Sequence, residues 1–116
     1  MVSRADDRAV LDELAGSGDK PEIPREFRVW IYGTTRDLGE VCRRLEPRGW
    51  IVVSFVADMR DEKERDTELI ISRSQAADEQ TVSAMSDEIE AALVGTSAVY
   101  DGWETSIETG ANGTLH

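Results

Sequence analysis

Hydrophobic residues recur with two different periods along this chain, and the places where the period changes divide it into elements. Over Arg4–Ala15 the residues Val10, Leu11 and Leu14 form a stripe at i, i+1 and i+4 behind the acidic pair Asp6 and Asp7. This predicts an amphipathic helix whose first turn suits the helix dipole. Gly16-Ser17-Gly18-Asp19-Lys20-Pro21, with Pro24 beyond it, ends that helix in a loop. The period then becomes two. Phe27, Val29 and Ile31 alternate with Arg28, Trp30 and Tyr32 before Gly33, which reads as a strand with one aliphatic and one aromatic face. Thr34 or Thr35 caps a following helix in which Leu38, Val41, Cys42 and Leu45 share one side.

Pro47 and Gly49 stop that helix, and Trp50–Val56 is a near-continuous apolar run rich in β-branched residues, the pattern expected of a central strand. Asp58–Asp66 is almost wholly charged and reads as an exposed hairpin connection. Glu68–Arg73 makes a third strand. Asp78 caps a helix carrying Val82, Met85, Ile89 and Leu93 along one side, closed by Gly95. The last element turns on Tyr100-Asp101-Gly102-Trp103-Glu104-Thr105. Asp-Gly between β-formers signals a tight hairpin, but a hairpin here has only a four-residue first arm to pair, so a strand over Ala98–Glu108 is preferred. Gly102 then marks a bulge or the close approach of another group.

After the first helix the order is β-α-β-β-α-β. This predicts an α+β fold of ferredoxin-like type, an antiparallel sheet with its helices on one face and an extra N-terminal helix. The expected division is an N-terminal helix and linker over 1–25, the sheet domain over 26–108, and a flexible tail over 109–116. Both expected sheet helices lie on one face, so the other is covered by the N-terminal helix, a second chain or water, and Val10, Leu11 and Leu14 nominate the helix.

Composition narrows the function. With 24 Asp and Glu against 13 Lys and Arg, the net charge of −11 repels nucleic acid and favours association with a basic partner. The single cysteine, Cys42, excludes an internal disulfide and reads as a core residue, and Met85 reads as core filler. The only histidine is His116, in a terminal glycine-rich tail, so no Cys/His ligand set can be assembled and no nucleophile–base pair is visible. No catalytic, cofactor-binding or metal-ligating residue is assigned. The Gly-Asp-Lys of the first loop lies between a helix and a strand, not between a strand and a helix as a phosphate loop requires. The third strand, with its flanking residues TELIISRS, lacks the glycine-aromatic pattern of an RNA-stacking sheet. The charged N-terminus and the lack of a long apolar run predict a cytoplasmic protein with no membrane contact.

The stretch YDGWETSIE resembles the signature strand of the regulator of ribonuclease activity B family, the ribonuclease E inhibitors, whose members read Tyr-Asp-Gly-Trp-Gly-Thr near this point. LDELAGSGDKP is similar to that family's helix followed by Gly-Ser-Asp, and EFRVWIYGTTRDLGEVCRRLEPRGWIV to its first strand, helix and second strand. Glu104 stands where the family has glycine, and Gly110–His116 replaces the acidic C-terminal extension of some members. The resemblance implies a non-enzymatic protein that binds ribonuclease E outside its catalytic core and modulates RNA decay. The alternative is a ligand-binding or dimerisation module of the same fold, with Trp30, Tyr32 and Phe55 lining its surface. The expected partner is ribonuclease E or a basic protein segment, met by a monomer or homodimer without nucleic acid or cofactor. Tyr100, Asp101, Trp30 and Tyr32 are the candidate contact residues, and Trp103 is assigned to the structure.

Overall fold

The computed structural model describes residues 4–56 and 67–110. The charged stretch 58–66 and residues 111–116 of the expected tail lie outside the described residues, as do the side chains of residues 4–6. The elements are α1 (Arg4–Gly16), β1 (Arg25–Gly33), α2 (Thr35–Leu45) with a short 3-10 turn (Glu46–Arg48), β2 (Ile51–Val56), β3 (Thr67–Gln75), α3 (Glu79–Leu93) and β4 (Val99–Thr105). Local chemistry sets the helix ends as read from the sequence. Thr34 caps α2 by accepting from the Asp37 amide, and Asp78 caps α3 by accepting from the Thr81 amide. Gly95 follows α3 at φ 80, a conformation that glycine adopts without strain.

The sheet is antiparallel throughout, in the order β2-β3-β1-β4. Phe27, Val29, Ile31, Leu69, Ile71 and Tyr100 project from it into a core completed by Leu38, Val41 and Leu45 of α2 and Val82, Met85 and Ile89 of α3. Cys42 is buried in that core, and burial pushes its thiol pKa up, as expected of a packing residue.

Three expectations are corrected. The apolar run Ile51–Val56 is an edge strand, not a central one, because β3 pairs with β2 on one side and with β1 on the other. Ile51, Val52, Val53, Phe55 and Val56 are all exposed. Such a run shows only that a segment is apolar and extended; its place in the sheet depends on which strand pairs with which.

The second correction concerns α1. It packs on the helix side of the sheet, where Leu14 is buried and Leu11 touches the core, and it leaves the opposite face uncovered. Its anchor is Asp7, whose buried carboxylate accepts from Ser86 Oγ of α3 at 2.7 Å and from the Trp103 indole Nε1–H of β4 at 2.8 Å. Polar partners on α3 and β4 thus decide where the helix sits, since a buried carboxylate needs hydrogen-bond donors.

The third concerns β4, which ends at Thr105, short of Glu108. Beyond it the chain is tied to the loop after α1. The Lys20 amide donates to the Glu108 carbonyl at 2.7 Å, and Asp19 accepts from the Glu108 amide at 2.7 Å.

The start of β2 is held by a cluster beneath it. Trp50 is buried, its Nε1–H donates to Glu88 Oε2 at 2.7 Å, and the Arg73 guanidinium lies 4.3 Å over its ring while donating to the same oxygen at 2.8 Å.

Candidate partner interface

The alternation of β1 puts Glu26, Arg28, Trp30 and Tyr32 on the face away from the helices. Pairing brings neighbours from the flanking strands beside each. Arg28 lies between Ser72 and Glu104, Trp30 between Ile70 and Gly102, and Tyr32 between Glu68 and Val99. On the β2 side Ile51, Ser54 and Val56 extend the face to the free edge. Among the described residues no helix lies over this surface. Among the described residues it carries two of the three aromatic rings of β1, Trp30 and Tyr32, and four carboxylates, Glu26, Glu68, Asp101 and Glu104, against the single guanidinium of Arg28.

Tyr32 is the most constrained of these groups. Its hydroxyl donates to Glu68 Oε2 at 2.8 Å. That bond, burial, and the negative charges of Glu68 and Asp101 push its pKa from 10.0 up to about 12. A folded-state value above the unfolded one makes the stabilisation complete below pH 10.0 and lost as the pH rises through about 12. Ultraviolet difference titration, with Tyr100→Phe used to assign the second phenol, is expected to place Tyr32 ionisation near 12, and Glu68→Gln to draw it back toward 10.0. An ordinary midpoint in the unaltered protein would contradict the Tyr32–Glu68 bond.

The segment Tyr100–Trp103 departs from the expected alternation. Trp30 pairs with Gly102 but Ile31 pairs with Tyr100, so Asp101 is an extra residue forming a bulge. Tyr100 and Trp103 therefore both face the helices, although they are three positions apart. Tyr100 is only 1% exposed, and its hydroxyl lies 3.5 Å from Ser86 Oγ. Its expected role as a contact residue is corrected: the bulge turns it into the core. Trp103 stacks on Phe27 at 5.3 Å between ring centroids, consistent with its structural assignment. Asp101 is exposed on the other side, close enough to Tyr32 to act on its ionisation.

Gly102 is neither crowded nor strained. A side chain built there would meet nothing within 4 Å, and its φ is not positive. The open face thus brings together Trp30, Tyr32 and Asp101 of the expected contact set, while Tyr100 is buried on its other side. Glu68 and the exposed aliphatics of β2 were missed, because only pairing shows that Glu68 stands beside Tyr32 and that β2 has one neighbour.

The chain matches the family described as RraB, Regulator of ribonuclease activity B, over residues 4–105. The chain belongs to this family. The RraB match covers every element from α1 to β4, the signature strand included. A search among curated proteins finds no match. Among the described residues no group of three or more Asp, Glu, Cys or His side chains is placed to hold a metal ion, and no helix is long and apolar enough to cross a membrane.

Proposed function

We propose that this protein is a non-catalytic regulator that binds an endoribonuclease of the ribonuclease E type through the open face of its sheet and so modulates RNA decay in the cytoplasm. The RraB match over residues 4–105 carries this reading. The uncovered face supports it, because large aromatics set among surplus carboxylates suit a basic protein segment. The β1-α2-β2-β3-α3-β4 succession and the β2-β3-β1-β4 sheet order support a ferredoxin-like topology for the domain.

A second reading, a dimerisation module, is favoured by β2. Its apolar side chains stand at a free sheet edge without a lysine, a proline or an inward charge to deter pairing, though a register shift between Val52 and Ser54 bends it. Against this, two copies each carrying a net charge of −11 repel one another.

Surface plasmon resonance separates the two. Immobilised protein is expected to capture ribonuclease E segments outside the catalytic core, with an on-rate that falls as salt rises. Sedimentation is expected to show a monomer over the same range. Absence of capture at low salt would overturn the first reading, and a dimer dissociated by Phe55→Lys would establish the second.

A further inference from the structure

In the signature Tyr100-Asp101-Gly102-Trp103 two residues have evident structural tasks and two do not. Tyr100 fills the core and Trp103 joins Phe27 to Asp7. Asp101, by contrast, is exposed and forms no side-chain hydrogen bond or ion pair among the described residues. A Cβ at Gly102 would meet nothing within 4 Å and its φ is not positive, so neither its backbone angle nor its immediate surroundings require glycine. A bare strand position that the fold does not demand leaves room for a group from outside.

The surroundings of that position define the group. Trp30 stands directly across from Gly102 on β1, so an aromatic side chain borders the gap on one side. Asp101 precedes it, Glu104 is the next open-face residue along β4, and Glu68 lies beyond Trp30 beside Tyr32. Arg28, which pairs with Glu104 across β1 and β4, is engaged with Glu26 at 3.2 Å. A flat cation fits these features better than a compact one, because it can stack on an indole while donating in its plane to carboxylates.

We infer that the bare position at Gly102, bordered by Trp30 and Asp101, receives an arginine side chain of the partner protein. The guanidinium stacks on Trp30 and donates to Asp101, with Glu104 adding charge at the rim. This inference rests on the proposed binding of a basic ribonuclease segment and names the contact that reads it. A lysine in the same place has no plane to stack and no fork to present, so the site discriminates between the two cations.

The test uses the full chain and three synthetic peptides in which glycine alternates with arginine, lysine or the neutral isostere citrulline. Binding is followed at low salt by the nuclear magnetic resonance shift of the Trp30 indole N–H. The arginine peptide is expected to move that signal and to bind about tenfold more tightly than the lysine peptide, with the citrulline peptide weaker still. Gly102→Val, whose Cβ has open space and whose branches fill the gap beside Trp30, is expected to weaken the arginine peptide about tenfold while leaving the melting temperature unchanged or higher. Asp101→Asn provides a second variant with no change of bulk, and a similar weakening is expected. Equal binding of the arginine and lysine peptides, or arginine binding indifferent to both variants in folded protein, would overturn the inference. A ribonuclease segment that binds normally to Gly102→Val would overturn it too, yet leave the proposed function standing. Arginine-selective binding at Trp30 without any capture of ribonuclease segments would sink the proposed function and keep the site.

Discussion

Replacing Asp19 by alanine is expected to cost the fold about 3 to 5 kcal/mol, a large share of the ~5 to 15 kcal/mol that holds a small domain together. Asp19 and Arg25 form an ion pair at 2.7 Å with side chains only 3% and 2% exposed. Three more guanidinium N–H groups reach the carbonyls of Ile23, Lys20 and Ser106 in a head group that is almost wholly buried. Asp19 also accepts from the Glu108 amide, closing the loop after α1 onto the chain that leaves β4.

Removing the carboxylate would leave a buried cation without its counter-charge and an amide without its acceptor. The double substitution Asp19→Leu with Arg25→Met removes both charges together and is expected to recover much of the loss. Denaturant unfolding of the single and double variants checks this. If the double variant is no more stable than Asp19→Ala, the uncompensated charge is not the source of the loss.

The second large effect is expected at Trp103. Trp103→Ala removes a ring packed on Phe27 and the indole N–H that satisfies buried Asp7, for an expected loss of about 3 to 5 kcal/mol. Trp103→Phe keeps most of the ring contact and deletes the hydrogen bond, so a loss of about 1 to 3 kcal/mol is expected. Because Asp7 ties α1 to both α3 and β4, the losses from Trp103→Phe and Asp7→Ala should fall well short of adding in the double variant. Full additivity would show that the two residues act separately. Neither substitution is expected to change partner binding, since both side chains lie on the helix side of the sheet. A binding loss in folded Trp103→Phe would place the interface elsewhere.

These two sites show how legibility varied along the chain. The helices over α2 and α3, their caps at Thr34 and Asp78, and the inward set Leu38, Val41, Leu45, Val82, Met85 and Ile89 follow from a 3.6-residue period and short-range hydrogen bonds. The two faces of β1 follow from its period of two, which placed Trp30 and Tyr32 together. The Asp19–Arg25 pair was not legible. Both residues read as ordinary loop and strand polar groups, and only the return of the chain at Ser106–Glu108 buries them.

Tyr100 illustrates the same limit on the interface. Its alternation with Trp103 put the two on opposite faces, and a single inserted residue at Asp101 put them on the same one. Gly102 marked a bulge here, but which residue it inserts and which way it turns Tyr100 depend on the pairing with β1.

By itself the sequence determined the kind and order of the elements, the acidic character of the chain and the resemblance carried by its signature strand, because each depends on residues close together or on simple sums. Tertiary structure alone decided that β2 is an edge, that α1 joins the helix layer, and that Tyr100 turns inward while Asp101 and Gly102 face out. Those outcomes depend on contacts between residues far apart in the chain, such as Asp7 with Trp103 and Ile31 with Tyr100, whose partners no local period can name.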